Sequence, residues 1–116
     1  CGLGDRGSAA LAGALPRGLE RLRLDLCDCE VGPRGCMALS AALPRSLRHL
    51  HLGLCHCPVR TEGAEAFATA LPQLGLGKGG LESLHLDFYN AAVGPGGARA
   101  LGAALPPGLA RLHLDL

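Results

Sequence analysis

The chain has 116 residues, enough for one domain, and its hydrophobic fraction of 48% suffices for a buried core. Two Phe, one Tyr and no Trp are present, while leucine, alanine and glycine are abundant, and this composition favours the thin, stacked layers of a repeat over a compact globule. The net charge of +1 comes without any block of like charge, which argues against nucleic-acid and membrane partners, and no apolar run is long enough to cross a membrane.

The sequence repeats itself along the chain. The segment LERLRLDLCDCEVGPRGCMALSAALP begins at Leu19, and related segments begin at Leu47, Leu81 and Leu109, at intervals of 28, 34 and 28 residues. Residues 1–16 match the second half of an earlier copy. A fixed period of this length indicates a solenoid, so we expect residues 1–116 to form a single segment of a longer repeat array.

Each unit begins with a predicted strand. Leu22, Leu24 and Leu26 alternate with polar residues, which is the two-residue period of a half-exposed strand, and the alternation returns at residues 50–54, 84–88 and 112–116. One unit cannot bury enough apolar surface to fold alone, so neighbouring units must stack. Because all strands then run in one direction, we expect them to pair in parallel about 4.8 Å apart.

A predicted helix follows each strand. In the first full unit, one helix face holds Gly35, Ala38, Leu39, Ala42 and Leu43. The Gly-Pro pairs at residues 32–33 and 94–95 suit helix starts, because proline tolerates the first helical turn. The predicted helix ends are Pro16, Pro44, Pro72 and Pro106.

This pattern resembles the leucine-rich-repeat family, with its signature L-x-x-L-x-L-x-x-N/C-x-L. The 28-residue period with V-G-x-x-G and A-L-x-x-A-L-P resembles the ribonuclease-inhibitor-like subclass. The resemblance implies an α/β fold, a right-handed solenoid or horseshoe segment whose parallel concave sheet has about four strands and convex helices. Ala91 stands where the earlier units have Cys29 and Cys57, so we expect the turn after the third strand to be the loosest.

The resemblance also implies that outward side chains of the strands contact a protein partner. Parallel stacking would align them in three rows: Arg23, His51, His85, His113; then Asp25, Gly53, Asp87, Asp115; then Cys27, Cys55, Tyr89. The predicted partner-binding residues are Arg23, Asp25, His51, His85, Asp87, Tyr89, His113 and Asp115, with a merely solvated face as the alternative. Protonating the histidine row below about pH 6 is expected to weaken such binding.

We therefore predict a non-enzymatic protein–protein interaction or scaffolding module. An alternative is a regulator that positions an enzyme, as GTPase-activating proteins with a similar solenoid do, and a third possibility is a metal-binding protein. The stacked histidines beside the aspartates lack a fixed fourth ligand, so we predict neither a metal site nor a cofactor there.

The cysteines leave three possibilities open. Cys27 and Cys29 recur as Cys55 and Cys57, and the four could bind zinc, or Cys27 and Cys55 could form a disulfide. Repetition explains the spacing more simply, so we predict reduced, packed thiols in an intracellular, cytoplasmic protein.

Two further motifs superficially suggest chemistry. Ser83, His85 and Asp87 have the residue types of a nucleophilic triad, but same-face neighbours on a strand are about 6.6 to 7 Å apart, too far for triad hydrogen bonds. The segment QLGLGKGG, with Lys78, resembles a phosphate-binding loop, yet it leads into a strand rather than a helix. We predict a flexible return loop there and no enzymatic activity.

Neither end of the chain carries a polar capping repeat. We therefore expect the two terminal faces to be exposed, and the isolated segment to be marginally stable or to self-associate.

Overall fold

The structure, a computed structural model, describes residues 3–74, 80–106 and 108–116. Strands and helices alternate along the chain, as predicted. The elements are α1 (Gly4–Gly13), β1 (Arg21–Asp25), α2 (Pro33–Ala42), β2 (His49–Gly53), α3 (Arg60–Ala70) with a 3-10 turn (Leu71–Gln73), β3 (Ser83–Asp87), α4 (Gly94–Ala103) and β4 (Arg111–Asp115).

The four strands form one open parallel sheet in the order β1-β2-β3-β4. Equivalent residues pair across all three interfaces, so that Leu24, Leu52, Leu86 and Leu114 lie side by side. Each helix packs against the next one along the chain. The predicted α/β solenoid with a parallel four-stranded sheet is thereby confirmed.

The core lies between the sheet and the layer of helices. Leu50, Leu52, Leu84 and Leu86 in the two central strands are at most 2% exposed. In β4, by contrast, Leu112 is 47% exposed, because this strand has a neighbouring strand on one side only. Leucine burial therefore depends on the presence of a stacked unit on both sides.

Large rings fill the centre of the core between two neighbouring units. Phe67 of α3 and Phe88 after β3 are at most 1% exposed, and their ring centroids are 5.7 Å apart. The two phenylalanines of the chain thus form one aromatic pair in the middle of the stack.

The buried helix face differs in part from the predicted one. In α2, Gly35 and Leu39 are buried as expected, whereas Ala38 is only partly buried. Cys36, which the predicted face omits, is fully buried. The helix is rotated toward its cysteine because that side also contacts α3, whose Gly63 backbone lies close to the Cys36 side chain.

The prolines mark helix ends less sharply than predicted. Pro44 follows the end of α2 at Ala42, as expected. Pro72 was predicted to end its helix, but it lies inside the 3-10 turn that continues α3 from Leu71 to Gln73. Proline fits there because the first turn of a short helix does not require its missing N–H.

The last glycine of the V-G-x-x-G element, which also stands four residues after the valine in V-R-T-E-G of the second unit, has a steric explanation. A Cβ added at Gly35, Gly63 or Gly97 would lie 2.9, 2.6 or 2.5 Å from a methyl carbon of the valine four residues earlier. Only glycine lets the first helical turn rest directly on that valine, which is buried in each unit. The motif therefore sets the distance between the turn and the helix that follows it.

Neighbouring units also share helix caps. Gly32, the N-cap of α2, has no side chain to cap the helix, and the Asp5 carboxylate of α1 accepts hydrogen bonds from the backbone N–H groups of Gly32 (2.7 Å) and Gly35 (3.1 Å). This carboxylate satisfies donors that the start of the helix leaves open. In the part of the chain that the structure describes, no helix has both the length and the apolar character needed to cross a membrane.

Candidate functional site

One face of the sheet carries the polar side chains of all four strands, and we call it the polar face. The register places Arg23, His51, His85 and His113 side by side, and likewise Asp25, Gly53, Asp87 and Asp115. Both rows are those predicted from the alternation of leucine and polar residues. The residues predicted to bind a partner are therefore brought together on one surface, with Tyr89 two residues beyond the end of β3.

The histidines form a stacked column across three strands. The ring centroids of His51 and His85 are 4.0 Å apart, those of His85 and His113 are 4.1 Å apart, and the rings are nearly parallel. Burial between its neighbours lowers the pKa of His85, and the positive charges that His51 and His113 can acquire lower it further. The middle of the column therefore resists protonation and presents a flat, neutral surface at neutral pH.

An acidic row follows the histidine column toward the carboxyl ends of the strands. Asp25 and Asp115 are exposed and Asp87 is half-buried. Asp87 accepts a hydrogen bond from the backbone N–H of Tyr89 through Oδ1, at 3.3 Å. Asp25 does the same for Cys27 at 3.4 Å, so these two carboxylates are oriented by the backbone.

Tyr89 is the exposed aromatic residue of this edge. Its side chain is 56% exposed and its ring meets that of His56 edge to face, with centroids 5.6 Å apart. Nδ1 of His56 lies 3.1 Å from Nδ2 of Asn90. Tyrosine held in this way offers a large contact area at low cost in conformational entropy.

A fourth row, absent from the prediction, begins each strand. It consists of Arg21, His49, Ser83 and Arg111. Glu82 pairs with Arg48, and its Oε2 lies 3.4 Å from Nε2 of His49. The same alternation that identified the other rows, continued two residues toward the start of each strand, would have found this one.

The sign of the charge on the polar face changes from one end of the strands to the other. Arg21 and Arg111 lie at the amino ends of the strands, and the aspartates lie toward the carboxyl ends. The row of Arg23 and the three stacked histidines lies between them. A depression of about 420 Å³ occupies the basic half. It is lined by Arg21, Leu22, Arg23, His49, Leu50, His51, Ser83 and His85.

The cysteines differ from the predicted reduced thiols. Cys27 and Cys55, neighbours on the polar face with Cα atoms 4.6 Å apart, are joined by a disulfide. The expectation of packed thiols is therefore wrong for this pair, because parallel register brings their side chains to the same side of adjacent strands. Cys29 is also disulfide-bonded, so the prediction is wrong there too. Among the described cysteines, Cys36 and Cys57 are free and buried.

The four-cysteine zinc set is not brought together. Cys29 and Cys57 are at most 5% exposed and point into the core, away from the polar face. The Cys57 thiol lies 3.1 Å from the backbone carbonyl oxygen of Leu26 in the preceding unit, to which it donates.

The turn after β3 has Ala91 in place of a cysteine, so it lacks a thiol that could donate such a bond. Ala91 is nevertheless buried, and its backbone N–H donates to the carbonyl oxygen of Phe88 at 3.1 Å. The N–H of Cys57 donates in the same way to the carbonyl oxygen of Leu54 at 3.3 Å.

The remaining chemical motifs of the sequence do not form sites. No hydrogen bond joins Ser83, His85 and Asp87 within the described residues, and His85 stacks on other histidines instead. Across residues 3–74, 80–106 and 108–116, the histidine and aspartate rows bring no three metal-ligating atoms within 4.8 Å of one another. Lys78 and most of its glycine-rich segment lie outside the described residues.

Comparison with known proteins supports the repeat. Residues 22–40 and 44–68 match the family model described as Leucine Rich repeat. The first matched segment covers most of β1 and of α2, and the second covers β2 and most of α3. The match supports a leucine-rich-repeat protein, and such repeats generally serve as non-enzymatic modules for protein–protein interaction. A search of curated proteins found no match to this chain.

Proposed function

We propose that the polar face of the sheet binds another protein, and that the chain acts as a non-enzymatic interaction or scaffolding module. The observation that carries the proposal is the ordered charge on this face. Arg23 stands at one end of the histidine column, and Asp25, Asp87 and Asp115 follow in the next row. A face that served only for hydration would not require such an order.

The order of charge indicates what the partner presents. Basic side chains of the partner would lie over the aspartate row, and acidic or hydrogen-bonding groups would lie over the arginines. Tyr89, which is 56% exposed beside Asp87, is suited to pack against the stem of a partner arginine or lysine. We propose no nucleic-acid or membrane partner, since the net charge is +1 and three aspartates share this face.

Site-specific cross-linking tests where the partner contacts the chain. A photo-reactive phenylalanine analogue placed at Tyr89 is expected to capture a protein partner, and the same group at Arg99, exposed on α4, is not. Capture from Arg99 alone would place the interface on the helices and contradict the proposal.

Calorimetry with the purified captured partner then measures the contribution of the charges. Asp25→Asn and Asp87→Asn are each expected to weaken binding by roughly tenfold, a typical effect for a charged residue at the centre of an interface. Glu65→Gln, on the exposed side of α3, is the matched control and should leave the affinity unchanged. Equal affinities for all four proteins would overturn the proposal.

The alternative function, regulation of an enzyme by positioning it, uses the same face. If the captured partner is an enzyme, its turnover in the presence of the wild-type chain separates the two functions, because a scaffold leaves turnover unchanged.

We also propose that the chain belongs to the ribonuclease-inhibitor-like subclass, because its repeat has a 28-residue period, and that it is located inside the cell. Self-association through the terminal faces, where Leu112 and Leu116 are 47% and 46% exposed, is tested by sedimentation.

A further inference from the structure

The Cys27–Cys55 pair is placed differently from the buried cysteines of the chain. Both residues are half-buried on the polar face and therefore open to solvent. Their positions are fixed by parallel pairing of β1 with β2, since the backbone N–H groups of Leu26 and Asp28 donate to the carbonyl oxygens of Gly53 and Cys55. The two sulfurs are thus held as neighbours by the sheet itself.

A carboxylate from a third unit completes the cluster. Oxygen of Asp87 and the sulfurs of Cys27 and Cys55 all lie within 4.8 Å of one another. Gly53 lies between Asp25 and Asp87 in the sheet, and it has no side chain to fill the space beside them. A Cβ at Gly53 would stand 3.1 Å from Asp25 Oδ1 and 3.4 Å from Cys27 Sγ, so the glycine keeps the approach to the cluster open.

The backbone favours a thiolate at Cys27. The N–H of Cys55 points at Cys27 Sγ at a distance of 3.1 Å. A donated hydrogen bond stabilises a negatively charged sulfur more than a neutral one. Once the disulfide is reduced, Cys27 is therefore prepared to act as an anionic ligand.

We propose that reduction of the Cys27–Cys55 disulfide creates a binding site for one thiophilic divalent metal ion of the zinc class, held by the two sulfurs and the carboxylate of Asp87. Zinc takes two thiolates and one carboxylate at about 2.3 and 2.0 to 2.2 Å, with water in the fourth tetrahedral position. These lengths place the two sulfurs about 3.8 Å apart. The ligand atoms of Cys27, Cys55 and Asp87 already lie within 4.8 Å of one another, close enough to share one ion.

The conversion needs a reductant and releases protons. With a water-soluble phosphine, the S–S bond breaks as the phosphine passes two electrons to the sulfurs and takes oxygen from water to become a phosphine oxide, and both sulfurs gain a proton. Zinc then forms two Zn–S bonds and displaces these two protons into the buffer, while Asp87 supplies one Zn–O bond. Reducing intracellular compartments supply thiols that perform the first step.

Cobalt(II) and zinc titrations of the purified chain test the proposal. The phosphine-reduced chain is expected to bind one cobalt ion, with a thiolate-to-cobalt charge-transfer band that zinc abolishes. Without reductant, the band should be absent and peptide mapping should find the Cys27–Cys55 linkage. Cys27→Ser and Cys55→Ser are each expected to weaken zinc binding at least 100-fold, and Asp87→Asn about tenfold.

Matched variants show whether the other cysteines hold the metal. Cys36→Ala should bind zinc as the wild type does, because burial, followed by the nearby Cys57 and Asp5, raises the pKa of Cys36 to about 12 and leaves it a poor ligand. Cys29 is disulfide-bonded and is freed by the same reduction, and Cys29→Ser should also leave the affinity for zinc unchanged. Circular dichroism of every variant verifies the fold.

Several results would overturn the proposal. They are a reduced chain without the charge-transfer band, a folded Cys27→Ser or Cys55→Ser variant with wild-type affinity, and equal zinc binding before and after reduction. A loss of binding in Cys29→Ser equal to that in Cys27→Ser would likewise move the metal away from Asp87.

Discussion

Neighbouring residues of each strand lie on opposite faces of the sheet, and the two faces have different roles. Leu52 is fully buried among leucines of the adjacent strands, whereas His51, one residue earlier, stacks on His85 at the surface. Each of the four strands has leucine at both positions of the core side, but the polar face changes from arginine to histidine and from aspartate to glycine. The uniform face therefore holds the stack together, and the varied face is free to recognise a partner.

The largest loss of stability is expected from a substitution on the leucine face of a central strand. Leu52→Ala removes a fully buried side chain from β2, which lies between β1 and β3. The flanking strands cannot easily move to close the cavity. We expect the free energy of unfolding to fall by about 2 to 5 kcal/mol, measured by urea denaturation followed by circular dichroism. His51→Ala is the matched control on the opposite face, and an equal loss in that variant would contradict the division between the faces.

The same substitution at the edge of the sheet should cost less. Leu112 in β4 is 47% exposed, so Leu112→Ala removes less buried surface and leaves no closed cavity. We expect a loss below about 1.5 kcal/mol in the same denaturation experiment, because the transfer free energy scales with buried apolar area. A loss as large as that of Leu52→Ala would mean that β4 is covered on both sides.

The histidine column predicts a pH dependence of stability. The pKa of His85 is lowered from its ordinary value of 6.5, so below that pH the folded chain binds fewer protons than the unfolded chain. The contribution of neutral His85 to the free energy of unfolding is fully present above pH 6.5, and it is lost as the pH falls through the lowered pKa. Urea denaturation at a series of pH values should show this loss, and His85→Asn should reduce its slope; an unchanged slope would argue against the stacked column.

The smallest effect is expected from the charges of the polar face. Asp87→Asn keeps an oxygen that can accept the N–H of Tyr89, and the half-buried side chain leaves no cavity. We expect the free energy of unfolding to change by no more than about 0.5 kcal/mol, although partner binding weakens. Chemical denaturation measures the change, and a loss comparable to that of Leu52→Ala would assign Asp87 a structural role.

Much of the fold could be predicted from the sequence because two periods coincide in it. The two-residue alternation gives the face of each leucine, and the 28-residue repeat aligns equivalent leucines, so the rows containing His85 and Asp87 follow directly. Local backbone geometry could not be predicted in this way. The left-handed conformations of Asp28, His56 and Asn90, with φ between 55 and 60°, arise where the tight turn after each strand requires them.

The site was predicted less completely than the fold. The sequence places Cys27 and Cys55 in one row, and it allows a disulfide, a zinc site or reduced thiols there. Repetition favours the thiols, whereas the 4.6 Å separation of the two Cα atoms, which decides for the disulfide, is known only from the structure. The burial of Cys36 depends on how α3 packs against α2, which the pattern within one helix cannot reveal. The alignment of equivalent strand residues between repeats could thus be predicted, whereas the rotation of a helix, which depends on its contact with the next helix, could not.

Titration of the histidine ring protons by NMR tests the parallel register most directly. His51 and His113 are 34 and 28 residues away from His85 in sequence, and only the aligned strands bring the three rings together. We predict that His85 titrates below pH 6.5 and that its pKa rises in the double variant His51→Asn, His113→Asn, while His56→Asn, outside the column, leaves it unchanged. A His85 pKa that does not respond to the double variant would contradict the stacked rows on which the polar face depends.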